Sequence, residues 1–216
     1  MKSALLIPVK DLTNAKTRLS SLLTPDQRKT LAHTMLEGTL DQIARVKTRV
    51  SRFMVTSYEP AKILAGQFGL EVIEENEQIS ESDSVDRASA ILEKAGFDLV
   101  FRVPLDLPVL DSLDLDAVLS LGESGKKVVL VPSLSGTGTN GILRNPPTLF
   151  PSRFGSGSLE KHLNLARERT ASIEICNAKS MALDIDDPAD LKTLIDSNQE
   201  NLAKQLIYDW GIADRL

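Results

Sequence analysis

The sequence has a single cysteine, Cys176, among 216 residues. A lone cysteine excludes an intrachain disulfide and any multi-cysteine zinc or iron–sulfur site, and it suits a reducing, cytoplasmic setting. Basic charge is also short, with 25 Lys and Arg against 30 Asp and Glu for a formal net charge of −5. A general binder of nucleic acid or of anionic membrane needs a net basic face, so neither partner is expected. Long apolar runs are missing. The longest uncharged run, Val128 to Leu143, is broken by Pro132, Gly136, Gly138 and Gly141, and it falls short of the ~20 apolar residues that span a bilayer. Near the start, only Ser3 to Val9 separates Lys2 from Lys10, and Pro8 interrupts it, so no signal-peptide core is present and a soluble protein is expected. No Walker sequence occurs, which removes the main support for a P-loop reading.

What remains is an ordinary globular composition, 42% hydrophobic and 25% charged, on a chain whose length suits one domain, or one with an appendage. We expect a single domain over 1–216 with a helical tail near 199–210. Short β-rich runs alternate with segments of helical period: Ala4–Val9 then Pro25–Arg45, Arg52–Ser57 then Pro60–Phe68, Leu70–Ile73 then Val85–Ala95, Leu99–Val103 then Leu115–Leu121. This alternation predicts an α/β fold with a mostly parallel sheet flanked by helices. Thr24 as N-cap, Pro25 and the stripe Leu31, Met35, Ile43 and Val46 mark the first helix. The second half is less regular, with strands expected at Val128–Val131, Gly141–Leu143, Ala171–Cys176 and Ala182–Ile185, and helices at Ser158–Arg167 and Pro188–Ile195.

Four features could carry chemistry. Lys10, Lys16 and Arg18 cluster in the loop after the first strand, where an open parallel sheet places its ligand crevice, and could hold a polyphosphate. A solvated basic loop is the alternative. Asp106, between Pro104 and Pro108 at the end of the run Leu99–Val103, is placed to bind a hard cation. Asp184 and Asp186, at i and i+2 on an expected strand, face one way and can meet one ion; together these carboxylates point to Mg²⁺ held with substrate phosphates. Cap or turn duty is their bland reading. Two glycine loops, Gly136–Asn140 and Phe154–Ser158, could turn backbone N–H groups on an anion, the second at a helix N-terminus, or could be plain turns. His33 and His162 lack partners at ligand spacing, though His162 lies close enough to the second loop to touch a ligand. No nucleophile–base pair is visible.

The strings IPVKDLTNAKTRLSSLLTPDQR, VPLDLPVL, SGTGTNGIL, RFGSGSLEKHL and LDIDDPADL, in this order, resemble the CofC family over nearly the whole chain. Its members are 2-phospho-L-lactate guanylyltransferases and their phosphoenolpyruvate-using relatives, which make a precursor of the deazaflavin coenzyme F-420. The resemblance implies a glycosyltransferase-A-like nucleotidyltransferase fold, Mg²⁺, GTP and a small phospho-acid: 2-phospho-L-lactate, phosphoenolpyruvate or 3-phosphoglycerate. By that match Asp106, Asp184 and Asp186 would hold metal, Thr139, Gly155 and Ser158 the acceptor, and Lys16 and Arg18 the triphosphate, with Lys16, Arg18 and Asp106 catalytic. One stretch departs from the pattern. Where such enzymes usually carry a glycine-rich turn, this chain has Glu81-Ser82-Asp83-Ser84-Val85-Asp86. Asp83 and Asp86 are therefore candidates to read the guanine edge, the alternative being a cap by Asp83 or Ser84 on a helix starting near Val85. Two other readings stay open: a nucleotidyltransferase of different base or acceptor, and a nucleotide-binding module without turnover. A homodimer is compatible with the sequence, which leaves the oligomeric state open.

Overall fold

In the computed structural model, which describes residues 1–122 and 125–216, one sheet organises the chain. Its strands are β1 (Ser3–Pro8), β2 (Ser51–Thr56), β3 (Glu71–Glu74), β4 (Leu99–Arg102), β5 (Lys127–Pro132), β6 (Thr139–Asn145) and β7 (Ser172–Ile175), in the order β3-β2-β1-β4-β6-β5-β7. β1 runs parallel to β2 and β4, β2 to β3, and β5 to β7, whereas β6 is antiparallel to both neighbours. Ala4, Leu5, Leu6 and Ile7 are all fully buried, as expected of a central strand covered on both faces.

The helices are α1 (Pro25–Ala44), α2 (Glu59–Gln67), α3 (Glu81–Lys94), α4 (Ser112–Ser120), α5 (Ser158–Glu168), α6 (Pro188–Asp196) and α7 (Leu202–Asp209). α1 opens with a capping box in which Thr24 and Gln27 exchange side-chain and backbone hydrogen bonds, with Pro25 in the first turn, as the sequence signals. Its buried stripe divides its work. Ala32, Leu36, Leu40 and Ile43 join the main core against the sheet, while Leu31 and Met35 meet Ala203 and Ile207 of α7. The expected tail is thus packed onto the domain.

Three expectations are corrected. α3 begins at Glu81, capped by Ser80, whose hydroxyl accepts the Asp83 N–H at 3.2 Å; Asp83 and Ser84 lie inside the helix and cap nothing. β6 starts at Thr139, so the glycine loop ends sooner than expected. The segment from Ala182 to Ile185 forms no strand; it crosses the sheet's end tied by single bonds, Leu134 N–H to the Ala182 carbonyl and Ile185 N–H to that of Asp106. Its alternation survives without a ladder, because Leu183 and Ile185 enter a core while Asp184 and Asp186 remain half-buried. Among the described residues no helix is long and apolar enough to cross a membrane.

Candidate active site

The carboxyl ends of β1 and β4 and the start of β6 converge on a cavity of about 950 Å³. The strand order reverses direction between β1 and β4, which is where an open α/β sheet leaves a crevice. Lys10, Lys16 and Arg18 from the loop after β1, Asp106 after β4, Thr139 of β6, Gly155 and Ser158 before and in α5, and Asp184 and Asp186 all line it. Topology brings Lys16 within hydrogen-bond distance of Asp186, 170 positions on.

Lys16 is the centre of this arrangement. It holds a left-handed backbone, φ 54 and ψ 42, at the start of a single 3-10 turn, Thr17–Leu19, a conformation that costs a non-glycine residue about 1–2 kcal/mol. Its Nζ donates to Asp106 at 2.6 Å and to Asp186 at 3.2 Å, and its side chain is 8% exposed. Burial opposes the ammonium, but the two carboxylates outweigh it and hold the Lys16 pKa above its ordinary value. Asp106 is half-buried, which opposes its charge, yet Lys16 and, more distantly, Arg102 keep its carboxyl below the usual range. Arg18 is exposed and lies 3.6 Å from the other Asp186 oxygen.

Asp184 behaves in the opposite way. It accepts a hydrogen bond from Asn140 Nδ2 at 3.0 Å, but burial, joined by the neighbouring charges of Asp106 and Asp186, raises its pKa. Three carboxylates against Lys16 and a solvated Arg18 leave uncompensated negative charge. Among the described residues no group of three His, Cys, Asp or Glu side chains encloses a metal by itself. The donor set nevertheless fits Mg²⁺, which takes hard oxygens and is usually held by one or two carboxylates together with substrate phosphates.

Elsewhere in the cavity wall, Thr139 and Ser158 are nearly buried. Gly155 and Gly157 adopt φ 98 and φ 67, and the second forms the N-cap of α5; glycine occupies such conformations without a Cβ penalty. His162, fully buried on α5, places Nδ1 3.0 Å from the Thr139 hydroxyl.

The structure does not bring Asp83 and Asp86 to the cavity. Asp83 pairs with Arg87 one helical turn on. Asp86 turns the other way, accepting the Ser152 N–H at 2.8 Å, its hydroxyl at 2.7 Å and Arg144 Nη1 at 3.1 Å. Glu81 and Ser84 of the same stretch are the cavity residues. His33 is elsewhere, bonded to the Tyr58 hydroxyl at 3.0 Å. Sequence reasoning missed Arg102 and took Asn140 only as the end of a glycine loop; both are in the wall. The signal for Arg102 was a charge closing an otherwise apolar strand.

A family model described as "Guanylyl transferase CofC like" matches residues 3–213. The chain is 33% identical over 192 residues to the phosphoenolpyruvate guanylyltransferase of Rubrobacter xylanophilus, covering 87% of this chain and 91% of that protein. It is 31% identical to the 2-phospho-L-lactate guanylyltransferase of Methanothermobacter thermautotrophicus, over 90% of this chain and 85% of that one. It is 29% identical to the 3-phospho-D-glycerate guanylyltransferase of Colwellia psychrerythraea, over 90% and 91%. Among solved structures, a protein described as a nucleotide-diphospho-sugar transferase from Desulfovibrio desulfuricans superposes with a TM-score of 0.79 at 15% identity, covering 100% of this chain and 98% of that chain. A cytidylyltransferase from Leptospira borgpetersenii gives 0.60 at 17% identity, again over 100% and 98%.

Proposed function

The chain belongs to the CofC family, and from that premise we propose that it is a guanylyltransferase that moves GMP from GTP to a small phosphorylated carboxylic acid, releasing pyrophosphate. The acceptor is 2-phospho-L-lactate, phosphoenolpyruvate or 3-phosphoglycerate, and the product serves coenzyme F-420 biosynthesis. The observation that carries this reading is Lys16 held between Asp106 and Asp186 in a cavity that also reaches Thr139 and Ser158.

The acceptor's phosphate oxygen attacks the α-phosphorus of GTP; a new O–P bond forms there as the bond to the pyrophosphate oxygen breaks. The attacking oxygen is already ionised, so no strong general base is required. What the reaction needs is positioning and charge. Lys16, Arg18 and Lys10 meet the triphosphate. Thr139, Ser158 and the backbone at Gly155 hold the acceptor. Asp106, Asp184 and Asp186 would hold Mg²⁺, which would supply neutralisation of phosphate charge. The lone cysteine suits work in the cytoplasm.

The test is pyrophosphate release from purified protein with each NTP against each of the three acids, with the product identified by mass. The reading requires GTP and at least one acid to be used together. Transfer from a different NTP would move the base assignment, and tight GTP binding without release would mark a binding module.

A further inference from the structure

The wall between the metal-side carboxylates and the acceptor loops carries a cation that neither has used. Arg102, the last residue of β4, is 5% exposed. Its guanidinium lies 4.2 Å over the Phe154 ring, and Nη1 donates to the Thr139 carbonyl at 3.4 Å. Nη2 pairs with the carboxylate of Glu81, from the first turn of α3. Its Nε is buried with no partner. The charge is felt on both sides, at Asp106 and at His162.

The two members of this pair are unequal. The Arg102 side chain is 6% exposed and that of Glu81 is 41%, so the cation is fixed by stacking and burial while the carboxylate is open to solvent on one side. A carboxylate on the first turn of a helix is favoured by the helix dipole without any partner, so Glu81 loses little by letting go. Arginine's planar fork takes a carboxylate through two parallel N–H groups, and Arg102 has donor capacity left over. The position is therefore a carboxylate site already tenanted by a carboxylate of the chain.

We propose that Arg102 binds the carboxylate of the phospho-acid acceptor and that Glu81 is its resident stand-in, displaced when the acceptor enters. The inference rests on the guanylyltransferase reading for its acceptor class. It gives a use to Glu81, in the stretch where this chain departs from the family pattern: the tenant taxes acceptor affinity and keeps the buried guanidinium paired between turnovers.

Calorimetric titration of the protein with 2-phospho-L-lactate, with phosphoenolpyruvate and with isopropyl phosphate, which replaces the carboxylate of the first by a methyl group, tests the site without depending on turnover. Arg102→Gln should weaken binding of the acid that wild type prefers by tenfold or more, as expected for loss of a charge-assisted pair, and leave isopropyl phosphate unchanged. Glu81→Gln should tighten the same acid by roughly threefold or more, since the apparent affinity rises with the fraction of protein in the competent state. Arg102→Lys, which keeps the charge and loses the fork, serves where Arg102→Gln fails to fold by circular dichroism. Equal weakening of isopropyl phosphate would assign Arg102 to the phosphate and overturn the proposal, as would weaker acid binding in Glu81→Gln. Failure of the enzymatic reading appears separately, as an absence of pyrophosphate release by wild type with any of the acids.

Discussion

His162 and Thr139 meet at 3.0 Å, ring Nδ1 to hydroxyl Oγ1, while the backbone N–H of Arg153 donates to the other ring nitrogen at 2.9 Å. Nε2 is thereby an acceptor, and a neutral ring must carry its proton on Nδ1. That proton goes to the Thr139 oxygen, which leaves the hydroxyl hydrogen free to point at an anion in the cavity. The histidine thus sets the direction of a hydrogen bond that it does not itself make to the ligand. Replacing His162 by Ala should raise the acceptor's KM by roughly tenfold, the worth of one misdirected hydrogen bond to a charged group, with the KM for GTP nearly unchanged. Thr139→Val should do the same, and the double variant should be no worse than the singles; full additivity in steady-state kinetics would show that the two act apart.

The same ring makes a pH prediction. Burial first, then the charges of Arg144, Arg102, Arg153 and Lys161, push the His162 pKa down to about 3. Between about 3 and the ordinary value near 6.5 the unfolded chain binds a proton there and the folded chain does not. Stability therefore rises with pH across that window, by at most about 1.4 kcal/mol per unit. His162→Gln should flatten the acid side of the Tm profile from pH 4 to 6.5; an unchanged slope would show that the ring protonates freely in the fold.

Much of this architecture was legible because the cues are local. Thr24, Pro25 and Gln27 announce α1, and the β-rich run Ala4–Val9 announces β1. The pairing of Asp184 with Asp186 on one side was legible even though no ladder forms, because alternation follows from extended backbone and not from hydrogen bonds to a neighbour. Asp86 was misread for the opposite reason. Its partners Arg144 and Ser152 lie 58 and 66 positions away, and nothing local reports them. The start of α3 was within reach: Ser80 followed three residues later by Asp83 is a capping spacing, and it rotates Glu81, rather than Asp83, toward the cavity.

Asp184 sits in a surplus of negative charge, so removing its charge should help the metal-free fold and harm the enzyme. Asp184→Asn is expected to raise the Tm of the metal-free protein by roughly 1–3 °C, the shift that accompanies a stability gain of under about 1 kcal/mol in a domain this size. It should also lose the further Tm increase that Mg²⁺ with GTP gives wild type. Turnover should fall by orders of magnitude, as it should in wild type treated with EDTA. Thermal-shift titration separates the effects, and a variant still stabilised by Mg²⁺ and GTP would remove Asp184 from the metal site.

Lys16 combines a required charge with an unfavourable backbone. Lys16→Ala should abolish most activity and cost about 2 kcal/mol, because half-buried Asp106 loses its partner. Lys16→Gly removes the same charge but relieves the left-handed strain, so it should be more stable than Lys16→Ala by about 1 kcal/mol while being equally inactive. Denaturant unfolding of the pair decides this; equal stabilities would show that the backbone relaxes once the side chain is gone.

Asp83 and Asp86 differ by one helical step in sequence and by much more in role. Asp86 neutralises Arg144, whose side chain is 1% exposed and which also donates to Ser89 at 3.1 Å, and it ties down the Ser152 backbone. Asp86→Ala leaves a buried guanidinium short of its counter-charge, which should cost about 3 kcal/mol and lower Tm by roughly 6–12 °C. Asp83→Ala removes a pairing with Arg87 on the helix surface and should change stability by about 0.5 kcal/mol or less. Neither side chain lines the cavity, so in both variants the GTP to ATP ratio of kcat/KM should stay within about twofold of wild type, a difference below 0.5 kcal/mol. A collapse of that ratio in Asp83→Ala, with Tm intact, would place guanine recognition on the first turn of α3 after all.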